Sequence, residues 1–262
     1  MMLIDNGELG MRDKINIDDC YKGFARMYDR FMLDAPYTVW VDYIDRVLKS
    51  VLRGKDSPIV LDLACGTGSI TIPLSKMGYD MIGVDQSADM LLCAQDKAME
   101  QGLSILFLMQ DMRELDLYGT VDAAVCVCDG MNYILEEEEL GEVFRRVSLF
   151  TSPGGVFIFD MNTDHKFREL GSASFTETAE GFSYQWDNSY DDVSMINRYD
   201  VTFLDLESRE VFSETHFQRA YPAEVVKRLL VEAGFERVEM FKGYSDEPFT
   251  SDTSRIVCIG YK

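Results

Sequence analysis

Residues 59–68 read Ile-Val-Leu-Asp-Leu-Ala-Cys-Gly-Thr-Gly, an apolar run that ends in a carboxylate and then in small residues. This pattern predicts a buried strand that leads into a ligand-binding loop. A side chain at Gly66 or Gly68 would block a ligand that must touch the backbone, and glycine accepts the positive φ that such a turn often needs. A helix predicted over residues 69–77 would point its N-terminal N–H groups at the same place. The first strand is therefore expected to end at a binding site.

A second apolar run, residues 81–84, ends at Asp85. A carboxylate at this position can accept hydrogen bonds from both hydroxyls of a ribose. Asp85 could instead cap a helix that begins near Ser87. Its place at a strand end, where open α/β sheets bind ligands, favours the ligand role. Together the two strands predict a site for a nucleoside-bearing cofactor.

The spacing of the small residues helps to identify that cofactor. A dinucleotide-binding turn needs a third small residue three positions after its second glycine, where this chain has Thr71. A phosphate-binding P-loop needs a lysine directly after its last glycine, and none follows here. The nicotinamide interpretation is therefore weakened, and the P-loop interpretation fails.

The same stretch resembles motif I of the class I S-adenosylmethionine-dependent methyltransferases. Asp62, Ala64, Gly66 and Gly68 match the acid and the small residues of that motif, and Asp85 matches the ribose-binding acid of the family. The resemblance implies S-adenosyl-L-methionine as the cofactor, with its methionine end where a dinucleotide has its pyrophosphate. It also implies methyl transfer as the activity.

The resemblance extends over nearly the whole chain. Gln110-Asp111-Met112 is similar to the loop that contacts adenine, and residues 129–133 follow strand four, where the family places substrate and methyl-proximal groups. Residues 153–155 resemble the turn into strand five. The cofactor contacts that the resemblance implies are Tyr21, Tyr37, Asp62, Ala64, Cys65, Gly66, Thr67, Gly68, Asp85, Gln86, Met90, Gln110, Asp111, Met112, Cys128 and Asp129.

The N-terminal segment is similar to the cap of small-molecule methyltransferases, including sugar N-methyltransferases. The residues that carry this similarity are Tyr21, Phe24, Ala25, Tyr28, Asp29, Tyr37 and Trp40. The sugar enzymes usually carry a basic residue shortly before the position of Tyr37, where this chain has Asp34, Ala35 and Pro36. A small-molecule acceptor is therefore expected, but a sugar is not implied.

The composition limits the partners and the compartment. The 262 residues carry a formal net charge of -21, which would repel a phosphate backbone, so nucleic acid is a poor candidate for a partner. The N-terminus lacks the pattern of a secretory signal, and no run approaches the roughly 18 apolar residues of a membrane span. The six cysteines include no Cys-x-x-Cys pair, which favours reduced thiols in a cytoplasmic protein. A homodimer is left open, and no metal site is expected.

Alternating strand-like and helical runs predict an α/β fold with a Rossmann-like sheet of seven strands. The sheet is expected to be mostly parallel, and a small antiparallel sheet is expected as an insertion. The two closing strands resemble the part of the methyltransferase sheet that contains its reversed seventh strand, so the resemblance implies one reversed strand. The predicted strands are 59–63, 81–84, 104–108, 121–128, 155–160, 235–243 and 255–261 in the large sheet, and 182–186, 194–204 and 211–219 in the insertion. The predicted units are an N-terminal tail with capping helices (1–54), a methyltransferase core (55–166 and 222–262) and an inserted substrate lid (167–221).

Two local patterns have structural interpretations. Cys126 and Cys128 would share one face of a buried strand, which favours core packing over a metal or redox pair. The acidic residues 136–139 precede a predicted helix that ends at Arg145 and Arg146, the charge order that the helix dipole favours. A solvated first turn is therefore favoured over a cation site.

Candidate catalytic residues lie in the insertion and after strand four. His216 shares a predicted strand face with Glu214, and a histidine can act as a general base near neutral pH. A structural role in the small sheet is the favoured alternative. The candidate bases, in falling order, are His216, Glu214, Asp129 and Tyr133. Asn132, Trp186 and Tyr184 are expected at the substrate, although the two aromatic residues could equally form the insertion's own core.

Three functions remain open at this level. The first is methyl transfer to a nitrogen or oxygen of a small molecule. The second is methylation of RNA or protein, which a basic groove beside Asn132 would support. The third is a non-catalytic S-adenosylmethionine-binding protein, which an acceptor pocket filled by side chains would support.

Overall fold

The structure, a computed structural model, describes residues 25–179 and 181–262. A seven-stranded sheet lies between helices, and a separate four-stranded sheet is inserted after the fifth strand of the chain. In chain order the elements are α1 (Ala25–Phe31), α2 (Tyr37–Val51), β1 (Ile59–Leu63), α3 (Thr71–Lys76), β2 (Asp80–Asp85), α4 (Ala88–Glu100), β3 (Leu106–Met109), β4 (Val121–Cys126), α5 (Glu137–Phe150), β5 (Thr151–Asn162), α6 (Asp164–Leu170), β6 (Ser174–Ala179), β7 (Phe182–Asp191), β8 (Ile196–Asp205), β9 (Val211–Arg219), α7 (Ala223–Glu232), β10 (Arg237–Lys242) and β11 (Arg255–Tyr261), with short 3₁₀ helices at Met112–Glu114 and Gly130–Tyr133.

The large sheet has the predicted topology. Its strand order is β10-β11-β5-β4-β1-β2-β3, and β11 runs antiparallel to both of its neighbours. The other neighbouring pairs are parallel. The predicted seven-stranded, mostly parallel sheet with one reversed strand is therefore confirmed. Because β1 lies between β2 and β4, the winding changes direction there, and the carboxyl ends of these strands frame a crevice for a ligand.

Alternation along β1 shows how helices cover both faces of this sheet. Leu61 and Leu63 pack into an apolar core that includes residues of α5 and α7. Val60 points to the other face and packs into a second core with residues of α2. Burial on both faces explains why the central strands are nearly continuous apolar runs. None of the described helices is long and apolar enough to cross a membrane.

The helices before β1 agree with the predicted break at Pro36. The helix α1 ends at Phe31, and α2 begins directly after the proline. Proline lacks a backbone N–H, so it disfavours a helix interior and is tolerated at a helix start. The cap residues Tyr21 and Phe24 lie outside the described residues.

The inserted sheet has the order β6-β7-β8-β9, and all its neighbouring strands are antiparallel. This confirms the predicted small antiparallel sheet. The sequence did not reveal α6 or β6, and the expected boundary at Phe167 falls inside α6. Phe182 and Phe203 lie in a buried cluster of this sheet, on which Phe31 of α1 packs. The N-terminal helix and the inserted sheet therefore lie against each other.

Three local expectations were wrong. Strand β4 ends at Cys126, and Cys128 has a φ of 67°, so the two thiols do not share a strand face. Residues 153–155 lie within β5 and not before it, at an irregularity between the pairs Val121–Thr151 and Ala123–Val156. The helix α5 continues past Arg146 to Phe150. In each case a local signal was read as the end or start of an element, whereas the packing of the sheet sets that boundary.

Candidate active site

Three cavities meet near the carboxyl ends of β1 and β4, and Tyr28 and Cys128 border all of them. The first cavity has a volume of about 110 Å³ and extends to Asp85 and Asp111. The second has a volume of about 270 Å³ and extends to the inserted sheet. The third, about 40 Å³, follows the loop after β1. The predicted binding crevice is therefore divided among neighbouring spaces.

Most of the predicted cofactor contacts border the first or the third cavity. Among the exceptions, Asp129 borders only the second cavity, Gly68 borders none of the three, and Tyr21 lies outside the described residues. The residues that border the first or the third cavity are Tyr37, Asp62, Ala64, Cys65, Gly66, Thr67, Asp85, Gln86, Met90, Gln110, Asp111, Met112 and Cys128.

The two glycines of the loop after β1 have different roles. Gly66 has a φ of 53°, and a Cβ added there would meet no atom within 4 Å. Gly68 has a φ of 78°, but an added Cβ would lie 3.2 Å from Ile72 and 3.3 Å from Ala94. Gly66 therefore presents bare backbone to open space, whereas Gly68 allows the loop to pack against α3 and α4.

Asp85 joins two loops beside the first cavity. Its carboxylate accepts hydrogen bonds from the backbone N–H groups of Gly66 and Ser87, each at 2.8 Å. Burial raises the pKa of this carboxyl, although the backbone hydrogen bonds oppose the rise. The N-cap of α4 is Ser87, whose hydroxyl accepts a hydrogen bond from the Met90 N–H at 3.3 Å. Asp85 is therefore not the cap of this helix, and its carboxylate also borders the cavity.

Asp62 supports the loop from beneath. Its carboxylate accepts a hydrogen bond of 2.5 Å from the hydroxyl of Thr71, at the start of α3. Burial raises the pKa of Asp62 to about 7. The residue borders the third cavity. The threonine that does not fit a dinucleotide-binding turn thus has a partner in the acid of the same motif.

The loop after β3 is held by its own side chains. Arg113 donates from Nε to both carboxylate oxygens of Asp111, at 3.0 and 2.9 Å. Burial raises the pKa of Asp111, but hydrogen bonds from Arg113 outweigh burial and hold the pKa below its usual value. The side chain of Gln110 bonds the backbone of Asp116 in both directions, each at 2.9 Å. These contacts give the rim of the first cavity a defined shape.

Helix α1 covers the loop after β1. Asp29 accepts hydrogen bonds from the Thr67 hydroxyl at 2.5 Å and from the Lys97 ammonium at 2.7 Å. The Tyr28 hydroxyl lies 3.7 Å from the sulfur of Cys128. Sequence reasoning noted Tyr28 and Asp29 in the N-terminal similarity but did not assign them to the site. Their position before the first strand was the available signal.

A chain of hydrogen bonds leads from the junction of the first and second cavities into the inserted sheet. The Tyr133 hydroxyl lies 2.5 Å from the Tyr199 hydroxyl and 3.3 Å from Nδ1 of His216. Nε2 of His216 lies 3.1 Å from Oε2 of Glu214, and both of these side chains are buried. The structure therefore brings together three of the four predicted base candidates. Tyr133 itself borders both cavities.

Asp129, the fourth candidate, is held between the two sheets. Its carboxylate accepts hydrogen bonds from Arg255 at 2.7 Å and from Gln218 at 2.5 Å. Arg255 also donates to Asp160 at 2.7 Å, and Asp160 accepts the backbone N–H of Asp129 at 2.6 Å. Sequence reasoning missed Arg255, for which the available signal was a charge at the start of an otherwise apolar strand.

Known proteins with similar sequences and structures identify the family of this chain. A family model described as a methyltransferase domain matches residues 60–155. YqeM of Bacillus subtilis (strain 168), which is named as a methyltransferase, is 34% identical over 240 residues, covering 90% of this chain and 94% of the relative. A solved S-adenosylmethionine-dependent methyltransferase from Clostridium acetobutylicum ATCC 824 superposes with a TM-score of 0.82 at 30% identity, covering 92% of this chain and 99% of that one. This chain is an S-adenosylmethionine-dependent methyltransferase.

The name of a more distant relative states which molecules that relative methylates. The glycine/sarcosine N-methyltransferase of Halorhodospira halochloris is 25% identical over 199 residues, covering 72% of this chain and 70% of the relative.

The residues around the first and third cavities fit S-adenosyl-L-methionine, the cofactor of this methyltransferase. Gly66 offers backbone without a Cβ between the two cavities, where the methionine end would be held. Asp85 borders the first cavity, where its carboxylate would accept the ribose hydroxyls. Gln110, Asp111 and Met112 form the rim that would hold the adenine.

The residues expected at the substrate separate into two groups. Trp186 borders the second cavity, whereas Tyr184 does not and packs edge-on against Phe31, with ring centroids 5.0 Å apart. Asn132 is fully buried and borders none of the three cavities. Its side chain bonds both backbone groups of Asn162 and the carbonyl of Arg219. The expectations for Tyr184 and Asn132 are therefore not supported, because both side chains hold elements together.

Proposed function

We propose that this methyltransferase transfers the methyl group to a nitrogen or an oxygen of a small molecule bound in the second cavity. The observation that carries this proposal is the junction formed by Tyr28, Cys128 and Tyr133, which border both the first and the second cavity. An acceptor in the second cavity would meet the cofactor across this junction. The name of the Halorhodospira halochloris relative is consistent with a small acceptor.

The size and enclosure of the second cavity favour this function over its rivals. A space of about 270 Å³ between α1, α6 and the inserted sheet suits a metabolite and not a polymer. The net charge of -21 also opposes RNA binding. A non-catalytic binding protein would have this space filled by side chains, whereas residues 25–179 and 181–262 leave it open.

The surrounding residues prepare the reaction by excluding water and orienting the acceptor. Bound S-adenosyl-L-methionine would supply an electrophilic methyl group to the lone pair of the acceptor at the junction bordered by Tyr28, Cys128 and Tyr133. The aromatic side chains of Tyr28 and Tyr133 border this junction on both cavities. The acceptor must arrive there as a neutral amine or lose a proton from its oxygen.

The hydrogen-bonded chain of Tyr133, His216 and Glu214 provides a route for that proton. With Nε2–H donated to Glu214, Nδ1 of His216 is free of hydrogen and can accept the Tyr133 proton across 3.3 Å. Tyr133 then takes the proton that the acceptor releases, and the Glu214 carboxylate balances the imidazolium. In this proposal His216 and Tyr133 remain the catalytic candidates. Tyr133 gives its proton to His216 and receives one from the acceptor, so its own protonation state is the same before and after the transfer.

The test combines acceptor screening with one histidine variant. Release of S-adenosylhomocysteine is measured with a panel of small amines, amino acids and phenols, and transfer to at least one of them is expected. His216→Gln should lower kcat about 100-fold if the histidine acts as a base, and only a few-fold if it positions Tyr133. The affinity for S-adenosylhomocysteine, measured by calorimetry, should stay unchanged.

The second histidine of the chain supplies the matched control. His165 lies on α6 and does not border the second cavity, so His165→Gln should keep the wild-type kcat. Transfer to RNA or protein without transfer to any small molecule would contradict the proposed function. An unchanged kcat in His216→Gln would remove the histidine from the mechanism.

A further inference from the structure

The charged side chains that border the second cavity differ in whether they have an ion-pair partner. The Arg255 guanidinium already donates to Asp129 and to Asp160, each at 2.7 Å. Nε2 of His216 faces the Glu214 carboxylate. The Arg255 guanidinium and the His216 imidazole therefore each have a carboxylate partner within the protein, and neither is available to balance a charged ligand.

Lys166 differs from these residues and from its own neighbours on α6. His165 pairs with Glu169 at 3.5 Å, and Arg168 pairs with Asp164 at 2.7 Å. Lys166 borders the cavity, and within residues 25–179 and 181–262 no carboxylate forms an ion pair with its ammonium. The chain has 46 acidic and 25 basic side chains, so a lysine without a partner at a cavity is contrary to its general charge balance.

Two buried polar atoms beside the same cavity also lack partners in the described part of the chain. Nε1 of Trp186 is a buried donor without an acceptor, and Oδ1 of Asn162 is a buried acceptor without a donor. Both residues border the second cavity, and Asn162 is only 8% exposed. Buried polar groups are nearly always hydrogen-bonded, so an unpaired donor and an unpaired acceptor at one cavity indicate a ligand that offers both complements.

The stacked aromatic side chains beside the second cavity also favour one type of ligand. Trp186 stacks on Tyr199 with centroids 4.2 Å apart, and Phe175 stacks on the other side of Trp186 at 5.9 Å. His216 continues the column at 4.7 Å from Tyr199. Phe31 also lies parallel to Trp186, with centroids 6.1 Å apart. The faces of Trp186 and Tyr199 are therefore largely covered by neighbouring rings, and the edges of these two rings remain for a ligand. Ring edges are electropositive, which disfavours a bare cation and suits an anionic oxygen.

Resting on the proposed function, we propose that the methyl acceptor is an amine that also carries a carboxylate. The Lys166 ammonium and the Trp186 indole N–H hold the two carboxylate oxygens, and the Asn162 side-chain oxygen accepts a hydrogen bond from the amine. One cation and one neutral donor match a singly charged carboxylate better than a doubly charged phosphate. Lys166 is thus a specificity residue, and the acceptor belongs to the amino acid class.

The acceptor panel tests this inference with matched pairs. Amino carboxylates, the corresponding amides and the corresponding aminophosphonates are compared by the release of S-adenosylhomocysteine. The KM of the amino carboxylate should be at least about tenfold lower than that of its amide, as expected for one charge-assisted hydrogen bond. The aminophosphonate should bind more weakly than the carboxylate, and a lower KM for the phosphonate would overturn the assignment of the anion.

Substitutions test whether Lys166 and Trp186 bind the carboxylate. Lys166→Met should raise the KM of the amino carboxylate about 10- to 100-fold, with a smaller change in kcat and no change in the KM of the amide. Lys166→Arg should restore part of the affinity, because it restores the charge. Trp186→Phe keeps an aromatic ring in the stack, removes the N–H group together with the pyrrole ring and should raise the same KM to a smaller extent. Lys227→Met, at an exposed position of α7, is the control that should match wild type.

The outcomes separate this inference from the proposed function. Transfer to neutral amines or phenols alone, with Lys166→Met unchanged, would overturn the carboxylate assignment and leave small-molecule methylation standing. Transfer to no member of the panel would count against both. Calorimetry on the enzyme saturated with S-adenosylhomocysteine provides a readout without turnover, and an amino carboxylate that binds Lys166→Met as tightly as wild type would likewise overturn the inference.

Discussion

At the scale of single residues, Gly66 and Asp85 are proposed to hold the cofactor. The backbone N–H of Gly66 donates to Asp85 at 2.8 Å, so the glycine and the acid that the motif places far apart in sequence are hydrogen-bonded neighbours in space. Gly66, which has no side chain, and Asp85 both border the first cavity. The glycine and the aspartate are therefore expected to maintain the shape of the loop as well as to bind the cofactor.

A pair of glycine variants separates these two contributions. Gly66 and Gly54 both have positive φ, and a Cβ added at either position would meet no atom within 4 Å. Alanine should therefore strain both backbones similarly, by about 1–2 kcal/mol, and lower both melting temperatures to a similar extent. Only Gly66→Ala should weaken S-adenosylhomocysteine binding, by about tenfold or more in calorimetry. Equal affinities of the two variants would show that the methyl group at Gly66 does not reach the cofactor.

At the scale of elements, α1 connects the cofactor loop with the inserted sheet. Asp29 bonds Thr67 of the loop and Lys97 of α4, while Phe31, two residues later, packs on Trp186 with ring centroids 6.1 Å apart. One short helix thus contacts both the cofactor side and the acceptor side of the active site. A change at its polar contacts should affect cofactor release before it affects the fold.

Asp29→Asn tests this connection. The asparagine keeps an oxygen for the Thr67 hydroxyl but loses the ion pair with Lys97. The Asp29 side chain is 41% exposed, and an exposed ion pair contributes about 1 kcal/mol or less. The affinity for S-adenosylhomocysteine should therefore fall by no more than about fivefold, with faster dissociation in stopped-flow measurements. Asp34→Asn, in the exposed turn before α2, is the control, and an equal dissociation rate in both variants would argue against α1 as a cover.

At the scale of the whole molecule, burial of the motif acid makes stability depend on pH. Burial raises the pKa of Asp62 to about 7, and the unfolded value is about 4. Between these values the folded state binds more protons than the unfolded state, so this group makes the free energy of unfolding fall as the pH rises. Its stabilising effect is fully present below about pH 4 and is lost by about pH 7.

Asp62→Asn should remove this dependence. The asparagine keeps an oxygen to accept the Thr71 hydroxyl and cannot ionise. Urea unfolding between pH 5 and pH 8 should show that the free energy of unfolding falls less steeply with pH in the variant than in wild type. Asp85, whose pKa is also raised by burial, remains in both proteins. Parallel curves would show that Asp62 does not titrate in this range.

Parts of the active site could be predicted because they are local in sequence. The loop after β1, the acid at the end of β2 and the residues after β3 follow strands whose apolar pattern is visible without any partner. Asn132 was misplaced for the same reason, since its position after strand four predicts a site residue. Only the packing of β5 and β9 around it shows that its side chain is fully used in hydrogen bonds to their backbones.

The sequence by itself determined the fold class, a site for a nucleoside-bearing cofactor and the existence of an inserted sheet, because strand periodicity and motif spacing are properties of short segments. The identity of the cofactor came from the resemblance of the first motif to a known family. Only the tertiary structure decided which residues form the acceptor side. Tyr133 and His216 are 83 positions apart, and Lys166 lies on α6, a helix that the sequence pattern did not predict. Their meeting at one cavity depends on how the inserted sheet docks against α1 and the large sheet, and docking is set by packing between distant segments.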